Sequence, residues 1–188
     1  MGIEEEKEAT SPLRGGRRAQ RSEHVGWGAS LAPLPHPKNP SDFSTSPQGG
    51  GLGVDIARAW IGTPYVHQAS VKGVGCDCLG LLRGVWRELK GAEPERAPPY
   101  SPDWAEATGA ETLYAAMKRH LCEVDRAAIA PGDIALFRMT PRGPAKHCGI
   151  IAERRGALTL IHARQNKRVG EEMFSTLWRK KLAFAFRI

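Results

Sequence analysis

The stretch Gly75-Cys76-Asp77-Cys78-Leu79-Gly80-Leu81-Leu82-Arg83-Gly84-Val85-Trp86 reads as a glycine-bounded turn running straight into an amphipathic helix. Leu79, Leu82, Val85, Trp86 and Leu89 recur at three- and four-residue spacing and form one apolar stripe. Gly91 stops the pattern, so the spacing predicts a helix over 78–90. Its first residue is a cysteine. The first turn of a helix leaves backbone N–H groups unpaired and carries the positive end of the dipole. Both favour a thiolate, the nucleophilic form of the side chain. Asp77, one residue earlier, is placed to cap the helix.

Working outward, Val54, Ala57, Trp60 and Ile61 share a helical face. This predicts a helix starting at Val54. Gly62-Thr63-Pro64 breaks it and presents Tyr65, and a loop continues to Gly75. After the 78–90 helix comes a proline-rich connector from Glu93 to Pro102. A further helix is expected near Thr108, with Thr108 and Glu111 at capping-box spacing and Leu113, Ala116, Met117 and Leu121 as its stripe. The remainder alternates like strands: 134–138 after the turn Pro131-Gly132-Asp133, then 147–153, 157–163 and 182–188. Helices first and strands later predict an α+β fold, with the N-terminal helices packed on an antiparallel sheet.

Residues 1–53 carry no apolar periodicity and are rich in Ser, Thr, Pro and Gly towards their end, the composition of a disordered tail. Val54 is also a candidate alternative start, which would make 1–53 a mis-annotated extension. The expected organisation is therefore a tail over 1–53 and one folded domain over 54–188. Six basic and six acidic residues cancel in 1–53, so the whole +7 excess lies in 54–188. That excess suits a polyanion such as a cell envelope, or simply a solvated surface. Helix-turn-helix, finger and RNA-binding motifs are lacking, so no nucleic-acid partner is expected. Apolar runs are too short for stable membrane insertion, and no secretory signal is visible. Synthesis in the cytoplasm is expected, with the four cysteines reduced.

Two histidines, His147 and His162, fall on consecutive predicted strands. With Arg154 and Arg155 as the two loop residues, Glu153 pairs with Gly156 and His147 lies directly opposite His162, about 5 Å apart at Cβ. A cysteine at a helix start plus this pair fits thiol hydrolysis. Cys78 would be the nucleophile, His147 the base and His162 the residue that orients His147. The Cys78 amide and Tyr65 are candidate oxyanion donors. Cys76, Cys78, His147, Cys148 and His162 offer zinc-type donors, but Cys-x-Cys and His-Cys lack knuckle spacing. No metal and no cofactor is expected.

Five ordered blocks sharpen this reading: Gly62-Thr63-Pro64-Tyr65, Asp77-Cys78-Leu79-Gly80-Leu81, Pro131-Gly132-Asp133-Ile134, His147-Cys148-Gly149-Ile150 and Ile161-His162-Ala163. Together they resemble the NlpC/P60 family of cell-wall cysteine peptidases, in particular the branch found with phage tails and gene transfer agents. The resemblance spans about residues 54–188. It implies a papain-like fold and hydrolysis of peptidoglycan stem peptides, usually at the D-γ-glutamyl–diaminopimelate bond. It implies catalytic roles for Cys78, His147, His162 and Tyr65. It also implies tail-tip proteins as partners, with action at the cell wall or in the periplasm. The chain departs from the family pattern at Leu79, where many members have serine, and at Cys148, where an apolar residue is usual. An amidase on the same scaffold, or a non-catalytic wall-binding tail component, is the alternative.

Overall fold

The computed structural model describes residues 47–101 and 109–188. Most of the expected 1–53 tail and the expected Thr108 cap lie outside these residues. The first helix, α1 (Pro47–Arg58), starts seven residues ahead of Val54. Proline at its first position suits a helix start, where no N–H is needed. Val54, Ala57 and Trp60 are buried, as the stripe predicts, whereas Ile61 is exposed. The expected loop before Gly75 contains a small hairpin, β1 (Ser70–Val71) with β2 (Gly75–Cys76).

Helix α2 (Cys78–Lys90) has the predicted ends, and Gly91 closes it at φ 88°, a value that suits glycine. Its buried centre is Leu81, Leu82 and Val85, with Leu79, Trp86 and Leu89 half-buried at the margins. Helix α3 (Thr112–His120) begins at Thr112, later than the sequence spacing suggests. Glu111, just before it, is engaged elsewhere. Its carboxylate accepts the Ala145 N–H at 2.9 Å and pairs with Arg138 at 2.6 Å.

Six strands form one antiparallel sheet in the order β3-β8-β4-β5-β6-β7. They are β3 (Cys122–Val124), β4 (Ile134–Arg138), β5 (Ala145–Arg154), β6 (Ala157–His162), β7 (Gly170–Met173) and β8 (Leu182–Arg187). A short helix, α4 (Thr176–Lys181), joins β7 to β8. The last strand thus enters beside β4 rather than at an edge. Among the described residues no helix is long and apolar enough to cross a membrane.

Alternation along the strands divides the core. Ile134, Leu136, Cys148 and Phe186 meet Leu82 of α2 with Leu113 and Met117 of α3. Val54 and Ala57 of α1, with Trp60 just past its end, join Leu81 and Val85 over Ile150, Ala152 and Ile161. On the other face Ala135, Phe137, Ile151 and Leu160 pack against Phe174, Trp178 and Leu182. Residues 134–137 are fully buried because both faces are covered, by α2 and α3 on one side and the α4 region on the other. Burying a side chain of Leu or Phe size contributes about 2 kcal/mol.

Candidate active site

Asp77 sets the start of α2. Its backbone is extended (φ −100°, ψ −172°) and its Oδ1 accepts the Gly80 N–H at 2.7 Å, the expected helix cap. The other oxygen accepts the Gln68 N–H at 2.7 Å and the Tyr100 hydroxyl at 2.5 Å. His67 Nδ1 stands 3.5 Å from the same oxygen, and its Nε2 pairs with the Tyr100 carbonyl at 2.8 Å. Burial, then the negative charge of Cys78, raise the Asp77 carboxyl above its ordinary range.

This cap holds Cys78 at the first helical position, half-buried, with its Sγ 3.9 Å from the Lys146 carbonyl. A bulge supplies that carbonyl. His147 pairs with Phe137 and Ala145 with Arg138, leaving Lys146 as the extra residue on β5. The Cys148 thiol donates to the Cys78 carbonyl at 3.3 Å. Hydrogen bonding from Cys148 does most to hold the Cys78 thiol well below its ordinary range. Hydrogen bonding and charge from His147 add to it, against the opposing effect of burial. Cys148 is pushed well above its ordinary range by the same pairing and by burial. Of the two thiols, Cys78 is therefore the one that gives up its proton first and Cys148 the one that keeps it.

The two histidines meet, by a different register from the expected one. Arg154 pairs with Ala157, so the turn is Arg155-Gly156 and not Arg154-Arg155. Both turn residues have positive φ, 53° and 77°, the form of two-residue turn that matches strand twist and wants glycine at its second position. The turn shifts by one residue on each strand, so Gly149 rather than His147 comes level with His162. The change in pairing is even, and both rings stay on one face. They meet diagonally, with His147 Nε2 2.9 Å from His162 Nδ1.

His162 is 3% exposed. Burial, reinforced by the charge of His147, lowers it to about 4, so it is neutral at pH 7. Its Nε2 lies 2.7 Å from Glu172 Oε1. Trp178 of α4 stacks on His147, ring centroids 5.7 Å apart at 27°, and meets His162 edge-on at 4.9 Å and 85°. Neither Glu172 nor Trp178 stood out in the sequence. Glu172 belongs to a four-residue polar strand, and Trp178 to a six-residue basic helix, both too short for periodicity to register.

Tyr65 is half-buried, its amide bonded to the Lys167 carbonyl at 3.0 Å. Burial, then the nearby charges of Cys78 and Asp77, push its hydroxyl up to about 12, so it keeps its proton. Cys76, fully buried in the β1–β2 hairpin, is likewise raised to about 12, chiefly by burial. Among the described residues no group of three or more His, Cys, Asp or Glu side chains is arranged to hold a metal ion.

Known structures share this framework. The chain overlays the NlpC/P60 domain of the peptidoglycan hydrolase SagA with a TM-score of 0.50 and 23% identity, over 74% of this chain and 98% of that one. It overlays an NlpC/P60 family protein from Bacillus cereus with a TM-score of 0.52 and 18% identity, over 73% of this chain and 39% of that one. The fold is NlpC/P60. NlpC2 from Trichomonas vaginalis gives the same picture, with a TM-score of 0.52 and 21% identity over 74% of this chain and 46% of that one. In sequence, the chain is 30% identical over 130 residues to gamma-DL-glutamyl hydrolase of Bacillus subtilis. The match covers 69% of this chain and spans about a quarter (27%) of that relative's length. No family model matches the chain. In this NlpC/P60 fold the helix-start thiol and the strand-borne histidines come to one place.

Proposed function

We propose that the protein is a cysteine endopeptidase of the NlpC/P60 kind that hydrolyses peptide bonds in peptidoglycan stem peptides. The observation that carries this is the Cys78 thiol, held low at a helix start and served by His147, which is backed in turn by His162 at 2.9 Å. The relative's name, a gamma-DL-glutamyl hydrolase, and the fold shared with the domain of a peptidoglycan hydrolase support the substrate. They favour the bond on the γ-carboxyl side of glutamate, the D-γ-glutamyl–diaminopimelate bond in a wall peptide.

The residues divide the work as follows. His147 takes the Cys78 proton, and the sulfur attacks the scissile carbonyl carbon. The Cys78 N–H and the Tyr65 hydroxyl, which stays protonated, receive the developing oxyanion. His147 returns its proton to the leaving amine, leaving a thioester. Water, deprotonated by His147, then releases the acid and restores the thiol. Neutral His162 orients the base throughout.

Mass spectrometry of purified peptidoglycan digested with wild type and with Cys78→Ala tests the reading. New fragments ending in γ-linked glutamate are expected from wild type alone. Intact stem peptide freed from glycan would make the enzyme an amidase, and no fragments from reduced protein would favour a wall-binding role. The five-block resemblance supports delivery by a phage-tail or gene-transfer-agent particle. Detection of the protein among the tail-tip components of purified particles checks that part.

A further inference from the structure

One charged group at the site has no place in the thiol chemistry above. Glu172 lies behind His162 and touches neither Cys78 nor His147 in any bond described. We propose that Glu172 is a positioning residue that sets the tautomers of His162 and His147, so that His147 Nδ1 is the basic nitrogen offered to Cys78. The inference rests on the cysteine-hydrolase reading of this site.

An ionised carboxylate only accepts hydrogen bonds. Glu172 Oε1 is 2.7 Å from His162 Nε2, so that nitrogen carries the proton. A neutral imidazole has one N–H. His162 Nδ1 is then an acceptor, and its partner at 2.9 Å, His147 Nε2, must donate. Before proton transfer, neutral His147 has its remaining lone pair on Nδ1. The S–H bond of Cys78 breaks, an Nδ1–H bond forms on His147, and the products are a thiolate and an imidazolium. No proton passes to His162 or Glu172. Reversing the His162 tautomer would set two N–H groups against each other, or make His147 spend its lone pair on His162.

Strand pairing explains why Glu172 reaches this nitrogen. His162 is opposite Gly170 and Leu160 is opposite Glu172. Glu172 therefore shares the face of His162 two residues along, and Gly170 puts no side chain between them. Arg164 Nη1 stands 3.5 Å from the same Oε1 and pairs with the carboxylate from the other side. The groups facing His162 are His147 from β5, Glu172 from β7 and Arg164 just past β6. From α4 comes the Trp178 ring, which does not titrate. A plain surface ion pair would leave the His162 tautomer indifferent to residue 172.

The test compares full-length wild type, Glu172→Gln and Glu172→Met. Long-range ¹H–¹⁵N NMR reads the His162 tautomer at pH 7. Iodoacetamide alkylation, quantified on the Cys78 peptide, reads thiolate reactivity against pH. Wild type should show His162 protonated on Nε2. Glu172→Gln keeps an acceptor and should keep that tautomer, with reactivity within about threefold. Glu172→Met should populate the Nδ1–H form and lose about tenfold in Cys78 alkylation at pH 7, the scale on which an outer partner acts through the histidine it orients. A folded Glu172→Met protein with the Nε2–H tautomer and wild-type reactivity would overturn the proposal. So would a Glu172→Gln protein that loses reactivity while its tautomer stays native, which also covers the case in which Glu172→Met does not fold. Neither readout uses peptidoglycan, so failure of the hydrolase reading registers separately.

Discussion

The thiol of Cys148 donates to the carbonyl oxygen of Cys78 at 3.3 Å, tying the residue after the base to the first residue of the nucleophile helix. The same thiol is the largest influence holding Cys78 low. The cysteine that stands where the family usually has an apolar residue is therefore a donor at the site. Cys148→Ala removes that thiol and with it the largest influence lowering Cys78, so the midpoint of Cys78 alkylation should move up by about one pH unit, on the order of the net worth of one hydrogen bond. Cys148→Ser keeps a donor and should recover most of the shift. Equal midpoints for wild type and Cys148→Ala would show that His147 and the helix start suffice.

How much of this was legible in the sequence depended on the length of each element. Helix α2 was readable at both ends because thirteen residues carry its stripe and a glycine closes it. Strand β4 was readable because the Pro131-Gly132-Asp133 turn fixes its start. The β5–β6 register was not, since the choice between Arg154-Arg155 and Arg155-Gly156 rests on which pair adopts positive φ. The error left both histidines on the correct face because it was even. The backing of His162 was out of reach, because Glu172 and Trp178 come from short elements whose position depends on β8 entering beside β4.

At Gly149 the backbone of β5 runs close against β6 beside His162. A Cβ added there would stand 2.9 Å from the Ile161 carbonyl oxygen, 2.7 Å from Leu160 Cδ1 and 3.0 Å from His162 Cβ. Leu160 can turn aside, but the backbone carbonyl cannot without moving β6. Gly149→Ala should destabilise the fold by about 1–3 kcal/mol, the usual range for overpacking. It should also separate His162 from His147, seen as slower Cys78 alkylation at pH 7 in protein that is still folded. A variant of wild-type stability and reactivity would show that the strands yield more readily than this packing implies.

The Asp133 carboxylate stabilises the turn into β4 from inside. It is 1% exposed, accepts the Ala130 N–H at 2.9 Å and receives Arg187 through two bonds of 2.8 and 2.9 Å. Arg187 is itself partly exposed, so solvent screens part of the ion pair. Asp133→Ala should lower the unfolding free energy by about 2 kcal/mol in urea titration, mainly from the stranded amide and guanidinium. Asp133→Asn keeps the turn bond and should lose less. An unchanged urea midpoint for Asp133→Ala would assign the turn to Pro131 and Gly132 alone.

His162 also links stability to pH. Its folded value, about 4, lies below the ordinary value of 6.5 because burial and His147 disfavour its charged form. Between these values the unfolded chain binds the extra proton and the folded chain does not. Stability therefore rises with pH through this window and falls on acidification, by about 3 kcal/mol from pH 7 to pH 4 on this group's account. Carboxylates titrate in the same range, so the comparison that isolates His162 is with His162→Asn, which cannot take up the proton. Urea unfolding of both proteins at pH 7 and at pH 4.5 should show the steeper loss in wild type. Parallel losses would mean that His162 is no harder to protonate in the folded protein than in the unfolded chain, and that its neutrality is not enforced by the site.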